Sequence, residues 1–338
     1  MRGGAIPAYA APPPPVVALV GATASGKSQI ALEVALATAA VELVSVDSMA
    51  VYRGMDIGTA KPTTEARARV PYHLLDLVDP TEEFTVQQFQ SEARRALAGI
   101  EARGHGALLV GGTGLYLRSV VDDLTFPGRY PDIAADLTTG LDASGPEGSE
   151  GRRTAQEALH RRLTRLDPVA AGRVEASNRR RLLRALEVTL GSGRPFSSFG
   201  PGLDRYPLTA VTMVGVHHDP TTLDERIAER FDHLMDLGFL EEVRSLAARA
   251  GGLSRTARQA LGYRELLAHL EEGLPLGDAV AAAVQRTRAF SRRQMAWFRR
   301  DPRIVWLEPE DDPVESIAAL YQAVPLGATT VGDWHATQ

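Results

Sequence analysis

The sequence contains no cysteine. Disulfides, thiolate metal sites and cysteine nucleophiles are therefore excluded, and any chemistry must come from oxygen and nitrogen groups. Nor is there an apolar run of about 18 residues, so no membrane-spanning helix is expected. The opening residues, MRGGAIPAYAAPPPPVV, hold one arginine and too short an apolar stretch for a secretion signal. Residues 1–14 read instead as a disordered leader, with Pro12 to Pro15 favouring polyproline II, and a cytoplasmic location is expected. Lysine is nearly missing as well: of 37 basic residues only Lys27 and Lys61 are lysines. A GC-rich coding sequence writes arginine wherever either cation serves. Unless chance kept them, these two positions want a compact ammonium rather than a guanidinium fork.

What remains is ordinary for a globular enzyme, with 44% hydrophobic and 23% charged residues over 338 positions. That length holds one large domain, or a main domain with a substantial insertion. The net charge of -5 hides a local asymmetry. Residues 151–194 carry eleven arginines against four acidic residues, and residues 286–303 carry seven against one aspartate. Such basic segments in an acidic chain suggest a polyanionic partner, the competing reading being solvated helix faces.

Short apolar runs at Val16–Val20, Val41–Val46 and Ala107–Val110 alternate with helical patterns at Lys27–Ala39 and Val86–Arg103. This alternation predicts a parallel sheet covered on both faces, with ligands at the carboxyl ends of its strands. Those three strands end in a glycine-rich turn, in Asp47 and in Gly111-Gly112-Thr113-Gly114. The middle of the chain differs. Residues 138–153 form an aperiodic Gly/Ser-rich connection, followed by helices at Ala155–Leu166 and Arg179–Leu190 and a second loose loop, Gly191–Asp204. A strand at Ala210–Val216, helices at Thr222–Ala248, Ala257–Glu271 and Gly277–Arg300, and an edge strand at Ile304–Leu307 complete the pattern.

Gly21-Ala22-Thr23-Ala24-Ser25-Gly26-Lys27-Ser28 fits G-x-x-x-x-G-K-[ST] between a strand and a helix. Its backbone amides would close around phosphate oxygens at a helix N-terminus, Lys27 would neutralise their charge, and Ser28 would hold Mg²⁺. The motif leaves open which phosphate compound is held. Asp47 reads as a metal-ligating aspartate, as a general base aimed at a second substrate, or as a turn cap. The third strand ends without the second acid that many ATPases place there, which weakens an ATPase reading.

VDSMAVYRGMDIGTAKP (46–62), PYHLLDLVDPTEEFTVQQF (71–89) and LLVGGTGLYLRSV (108–120) together resemble the tRNA dimethylallyltransferases. Further matches follow in order at 158–174, 180–197, 223–243, 260–265 and 287–301, so that the resemblance spans roughly residues 16–308. It implies a P-loop NTPase-like α/β fold, a parallel sheet flanked by helices with a helical insertion subdomain. The core is expected at 15–129 and 196–308, the insertion at 130–195 and a tail at 309–338. It implies transfer of a dimethylallyl group from dimethylallyl diphosphate, with Mg²⁺, to N6 of the adenosine beside the anticodon, position 37, in tRNAs reading codons that begin with U. On that resemblance Asp47 is the general base, Thr113 lies near the reacting groups and Arg226 binds the diphosphate. Asp47, Ser48, Met49 and Ala50 form one turn contacting the tRNA anticodon stem-loop, and Arg180, Arg181, Leu182, Leu183 and Arg184 a second segment. Arg258, Gly262 and Tyr263, with the helix Arg286–Arg300, are further candidates for RNA contact, whereas Met49 and Trp297 read as packing side chains. A monomer is expected.

Three positions depart from the family pattern: Ala50 where a larger residue is common, Ala134 where an arginine often sits, and Asn178 in place of an aspartate. An isopentenyltransferase acting on free adenine nucleotide would not need the basic insertion. A small-molecule kinase would leave the arginine clusters idle, and a non-catalytic RNA-binding module would not explain the phosphate loop.

Overall fold

The computed structural model describes residues 15–200, 202–307 and 311–322, so the expected leader lies outside the described residues. The chain falls into two compact units, one formed by residues up to 122 and from 208 onward, the other by residues 123–207. The first is built on six parallel strands: β1 (Val16–Val20), β2 (Val41–Ser45), β3 (Tyr72–His73), β4 (Gly106–Gly111), β5 (Thr212–Gly215) and β6 (Ile304–Trp306). Their order across the sheet is β3-β2-β4-β1-β5-β6. In chain order the helices are α1 (Lys27–Ala37), α2 (Thr64–Arg69), α3 (Val86–Ala102), α4 (Gly114–Val121), α5 (Pro131–Asp142), α6 (Glu150–Leu166) and α7 (Pro168–Ala171). After them come α8 (Arg179–Ser192), α9 (Pro220–Asp236), α10 (Phe239–Ala247), α11 (Tyr263–Glu272), α12 (Leu276–Phe298) and α13 (Pro313–Gln322).

The central strands are largely apolar because both faces are covered, Glu42 of β2 being the charged exception. Val17, Leu19, Leu43 and Leu108 pack with Val34 of α1 and Ile317 of α13 on one face. Ala18, Val20, Val44 and Leu109 pack with Phe89 of α3 and Leu117 of α4 on the other. The architecture is the P-loop NTPase-like α/β fold. Local sequence sets its boundaries. At the start of α3, Thr85 accepts from the Gln88 amide at 3.2 Å while the Gln88 side chain accepts from the Thr85 amide at 2.9 Å, a reciprocal cap.

Several elements differ from expectation. The helix expected over Thr222–Ala248 is two, α9 and α10, because Gly238 turns the chain at φ 94°, a backbone no helix interior holds. Ala257–Glu271 splits into a 3₁₀ turn, Ala257–Gln259, and α11. Part of the 138–153 connection is helical: α5 runs to Asp142, and α6 begins at Glu150, where Ser149 accepts from the Arg152 amide. α4 follows directly from the glycine–threonine turn, and α2, β3 and α7 are too short to stand out in the pattern. Within the expected tail, α13 belongs to the first unit: Ile317 is fully buried and the Tyr321 hydroxyl donates to the Ala107 carbonyl at 2.8 Å.

In the second unit α5, α6, α7 and α8 enclose their own core of Leu137, Leu163, Ala170, Val174, Leu182 and Leu186. It extends on both sides of the 130–195 span expected for the insertion. Arg152 is structural here, donating to the Leu141 and Gly145 carbonyls at 3.1 Å and pairing with Asp142.

Candidate active site

The loop Gly21–Ser28 leaves the carboxyl end of β1, in the middle of the sheet, and Lys27 opens α1. Gly26 takes a left-handed backbone, φ 82°, which turns the chain into the helix. The first-turn amides of α1 have no intrahelical acceptors and point out of its N-terminus, where the helix dipole favours an anion. Two side chains brace the loop from outside it. Gln294 of α12 accepts from the Thr23 amide at 2.8 Å and donates to the Gly112 carbonyl at 2.8 Å, tying the loop to the turn after β4. This explains GGTG: a Cβ on Gly112 would collide with Gln294, and one on Gly114 with Trp297. The second brace is His218, whose Nε2 lies 3.2 Å from the Ser25 carbonyl and 3.0 Å from Arg226 Nη1. Burial, reinforced by the charges of Arg226 and Lys27, holds this imidazole below its ordinary pKa, against the pull of the Ser25 carbonyl.

Lys27 is buried, its ammonium donating to the Ala22 carbonyl and to Ser25 Oγ. Burial pulls its pKa down to about 7, assisted by the Arg230 guanidinium, while the Asp47 carboxylate works in the opposite sense. Arg230 itself, one turn beyond Arg226 on α9, is brought below its ordinary value by burial and is raised by Asp47. The charges of Lys27, Arg230 and Asp47 thus lie close enough beside the loop to act on one another. Asp47 follows β2, and its Oδ1 accepts from the Met49 amide at 2.7 Å and the Ala50 amide at 3.3 Å. These bonds fix the carboxylate's direction through one oxygen. Thr113, at the end of β4 next to β2, begins α4 without using its side chain as a cap. Arg226 is exposed and held by His218. The sheet order therefore brings the loop, Asp47 and Thr113 to one edge, with Arg226 and Arg230 supplied by α9.

Residues 50–301 match the sequence model of the IPPT family, IPP transferase. The chain is 45% identical over 299 residues to the tRNA dimethylallyltransferase of Desulforudis audaxviator, covering 88% of this chain and 93% of that one. To the tRNA dimethylallyltransferase of Streptomyces coelicolor it is 45% identical over 298 residues, covering 88% and 91%. The solved full-length tRNA isopentenylpyrophosphate transferase of Bacillus halodurans aligns with a TM-score of 0.63 at 32% identity, covering 91% of this chain and 95% of that structure. The chain belongs to the IPP transferase family.

Within this IPP transferase fold, the residues expected to contact RNA separate into two groups. Arg180 and Arg181, in the first turn of α8, are exposed. Leu182 between them and the core is fully buried, Leu183 is half-buried against the same core, and neither supplies a polar contact. Arg184 is spent internally, pairing with Glu187 at 2.6 Å and donating to the Pro127 and Gly128 carbonyls. Asn178 caps α8 by accepting from the Arg181 amide at 3.2 Å, so the replacement of aspartate keeps the cap. Ala134 lies half-buried in α5.

In the first unit Tyr263 is fully buried, and its hydroxyl donates to Glu242 at 2.5 Å. Glu242 also accepts from the amides of Asp56, Ile57 and Gly58 at 2.8, 2.7 and 3.1 Å. Through Glu242 the Tyr263 hydroxyl thus helps hold residues 56–58 in place. A Cβ on Gly262 would collide with Phe239, so that glycine serves packing. Arg258 is bound by Glu271 through both guanidinium nitrogens. On α12, Arg286 pairs with Glu265, and Arg288 and Arg292 converge on Asp224 of α9, while Arg293 and, just past the helix, Arg299 and Arg300 are exposed. Met49 and Trp297 pack against the core and Ala50 is buried, while Ser48 is half-buried. Sequence reasoning missed Arg230, Gln294 and His218. The first is one arginine among many and the second a neutral side chain, and only the fold brings them to the loop. Among the described residues no helix is long and apolar enough to cross a membrane.

Proposed function

We propose that this chain transfers the dimethylallyl group of dimethylallyl diphosphate to N6 of the adenosine beside the anticodon, position 37, in tRNAs reading codons that begin with U. The observation that carries the reading is the convergence of Asp47 with Lys27 and Arg230 at the mouth of a phosphate loop, in a chain of the IPP transferase family. The adenine N6 lone pair forms a bond to the allylic C1, and the C1–O bond breaks with its electrons passing to the departing pyrophosphate. Asp47 takes the proton that N6 gives up. Negative charge grows on the leaving group, so the loop amides, Lys27, Arg226 and Arg230 bind it more strongly in the transition state than in the bound donor, which is what acceleration requires. Thr113 borders the reacting groups.

Among the described residues no cluster of three His, Asp or Glu side chains could hold a metal on its own. The exposed Ser28 hydroxyl, an oxygen donor beside the loop, would help hold Mg²⁺, and the ion would supply further charge neutralisation at the leaving group. The target adenosine must leave its stack to reach Asp47. Exposed Arg180 and Arg181 suit phosphates of the anticodon stem, and the Asp47–Ala50 turn suits the flipped nucleotide. The alternatives, prenylation of a free adenine nucleotide or phosphorylation of a small acceptor, leave those exposed arginines without a role.

The test is to incubate the protein with Mg²⁺, labelled dimethylallyl diphosphate and total tRNA, then identify the labelled nucleoside. N6-dimethylallyladenosine at position 37 is expected. Label on free AMP but not on tRNA, or ATP-dependent phosphorylation of a small acceptor without prenyl transfer, overturns the reading.

A further inference from the structure

Of the two lysines in this arginine-rich chain, one belongs to the phosphate loop. The other, Lys61, ends the run DIGTAK at some distance in sequence from any phosphate contact. Its side chain is 1% exposed, and its ammonium meets three acceptors: the Tyr52 carbonyl at 2.6 Å, Asp56 Oδ1 at 2.8 Å and Asp76 Oδ1 at 2.5 Å. Three acceptors around one nitrogen match an ammonium with its three protons, whereas a guanidinium spreads its donors over a planar fork. The space is closed by Arg67, which holds the other oxygen of Asp76 at 2.7 Å. Arginine was available throughout the composition, yet three acceptors gathered on one nitrogen suit the compact ammonium better than the fork.

The acceptors of Lys61 lead to the candidate base. The Asp76 amide donates to the Ala50 carbonyl at 3.2 Å, and the Val78 amide donates to the Val51 carbonyl at 3.1 Å. The Arg53 amide returns to the Val78 carbonyl at 2.9 Å, so residues 50–53 and 76–78 run side by side. The Ala50 amide, on the other side of the same residue, donates to Asp47 Oδ1. A continuous hydrogen-bonded path therefore joins the Lys61 ammonium through Asp76 and Ala50 to the Asp47 carboxylate. Burial raises the Asp76 carboxyl's pKa, and the bonds from Lys61 and Arg67 more than offset it, so the carboxylate in the middle of the path stays ionised.

We infer that Lys61 is a positioning residue for Asp47: it fixes residues 50–53 against residues 76–78 and so sets the direction in which the Asp47 carboxylate faces the acceptor amine. This rests on the proposed role of Asp47. Lys61 touches no substrate; its effect is on geometry, and a displacement of a reacting group by about 1 Å costs on the order of a hundredfold in rate.

The experiment compares wild type, Lys61→Arg, Asp47→Asn and the double variant with dimethylallyl diphosphate and an anticodon stem-loop, reading kcat, the KM of each substrate and the thermal midpoint. Lys61→Arg is expected to keep the charge and the fold, to leave the donor KM within about twofold, and to lower kcat by about tenfold to a hundredfold. In the Asp47→Asn background the same change should add nothing to the residual loss, because the side chain that the path orients can no longer take the proton. A wild-type kcat for Lys61→Arg overturns the inference, as does a loss that simply multiplies with that of Asp47→Asn. If Lys61→Arg lowers the thermal midpoint strongly, Asp76→Ala removes the acceptor that links Lys61 to the path while leaving Lys61 its Tyr52 and Asp56 partners. An unchanged kcat there is then the overturning result. Absence of transfer by the wild type would sink the proposed function itself, a different outcome from transfer that ignores Lys61.

Discussion

One acidic residue lies near the amino end of strand β2 and another just past its carboxyl end, and the two are treated in opposite ways. Glu42, at the amino end of the strand, is almost wholly buried and receives both guanidinium nitrogens of Arg103 at 2.8 and 2.7 Å, His73 at 2.6 Å and His105 at 2.7 Å. The Arg103 bonds lead in pulling its pKa down to about 2, with burial opposing and the two histidines assisting. Asp47, just past the carboxyl end, is half-buried, accepts only two backbone amides through one oxygen, and shares its surroundings with two cations that no carboxylate contacts directly. One acid has its charge fully consumed by partners within the fold. The other leaves charge over, and that surplus is what a ligand or a proton can use. The difference separates an acid that stabilises from one placed to react.

Asp47→Asn gives the largest contrast. The amide keeps the side chain's shape and its Oδ1 acceptor for Met49 and Ala50, so the turn should survive. Loss of the base should lower kcat by about a thousandfold, within the range for removal of a general base, with the thermal midpoint little changed. Rapid-quench measurement of prenyl transfer checks it, and a kcat within tenfold of wild type would remove Asp47 from the role of base.

Glu42→Gln should do the reverse, sparing kcat and costing stability. Breaking a buried pair typically costs about 3–5 kcal/mol. Here Arg103 is 47% exposed and can return to water, so about 3 kcal/mol is expected by urea unfolding at pH 7. The pH dependence carries a sign. Glu42's folded pKa lies below its unfolded value of 4.5, so its contribution is full above about pH 5 and is lost as pH falls from there toward 2. The stability gap between wild type and Glu42→Gln should therefore close on acidification. A gap independent of pH between 5 and 3 would show that the variant acts through packing alone.

How much of this could be read from the sequence follows from what each feature depends on. The loop announces itself because its glycines, lysine and serine must be contiguous, and Asp47 because a charged residue ends an apolar strand. Arg226 entered only through resemblance, since an arginine in LDERI reads locally as an exposed helix residue. Arg230, four residues on, carries no local signal either; its meaning comes from burial beside Lys27, which α9 supplies by packing on α12. The same holds for Gln294, which no periodicity distinguishes, and for the bond from the Tyr263 hydroxyl to Glu242, which only the fold brings about. The single long helix expected over Thr222–Ala248 failed at Gly238, where an apolar pattern continued in register across a break. Spacing reports which face is apolar, and it does not report where the backbone turns.

Arg230→Gln is the smallest of the expected effects and the sharpest test of the comparison. Arg230 has no ion pair within the described residues, so the fold gains little from its charge, and holding a partly buried guanidinium without a carboxylate partner has a cost. Its removal should leave the urea midpoint unchanged or slightly raised. The function should lose instead: kcat/KM for dimethylallyl diphosphate is expected to fall about tenfold, or about 1.4 kcal/mol of transition-state binding, with KM for the stem-loop unaffected. Glu42→Gln and Arg230→Gln would then form a crossed pair, one less stable and equally active, the other equally stable and less active. If Arg230→Gln instead lost stability and kept its donor kcat/KM, the cation would belong with Glu42 among the structural charges. Asp47 and Lys27 would be left to handle the diphosphate with the loop and Arg226 alone.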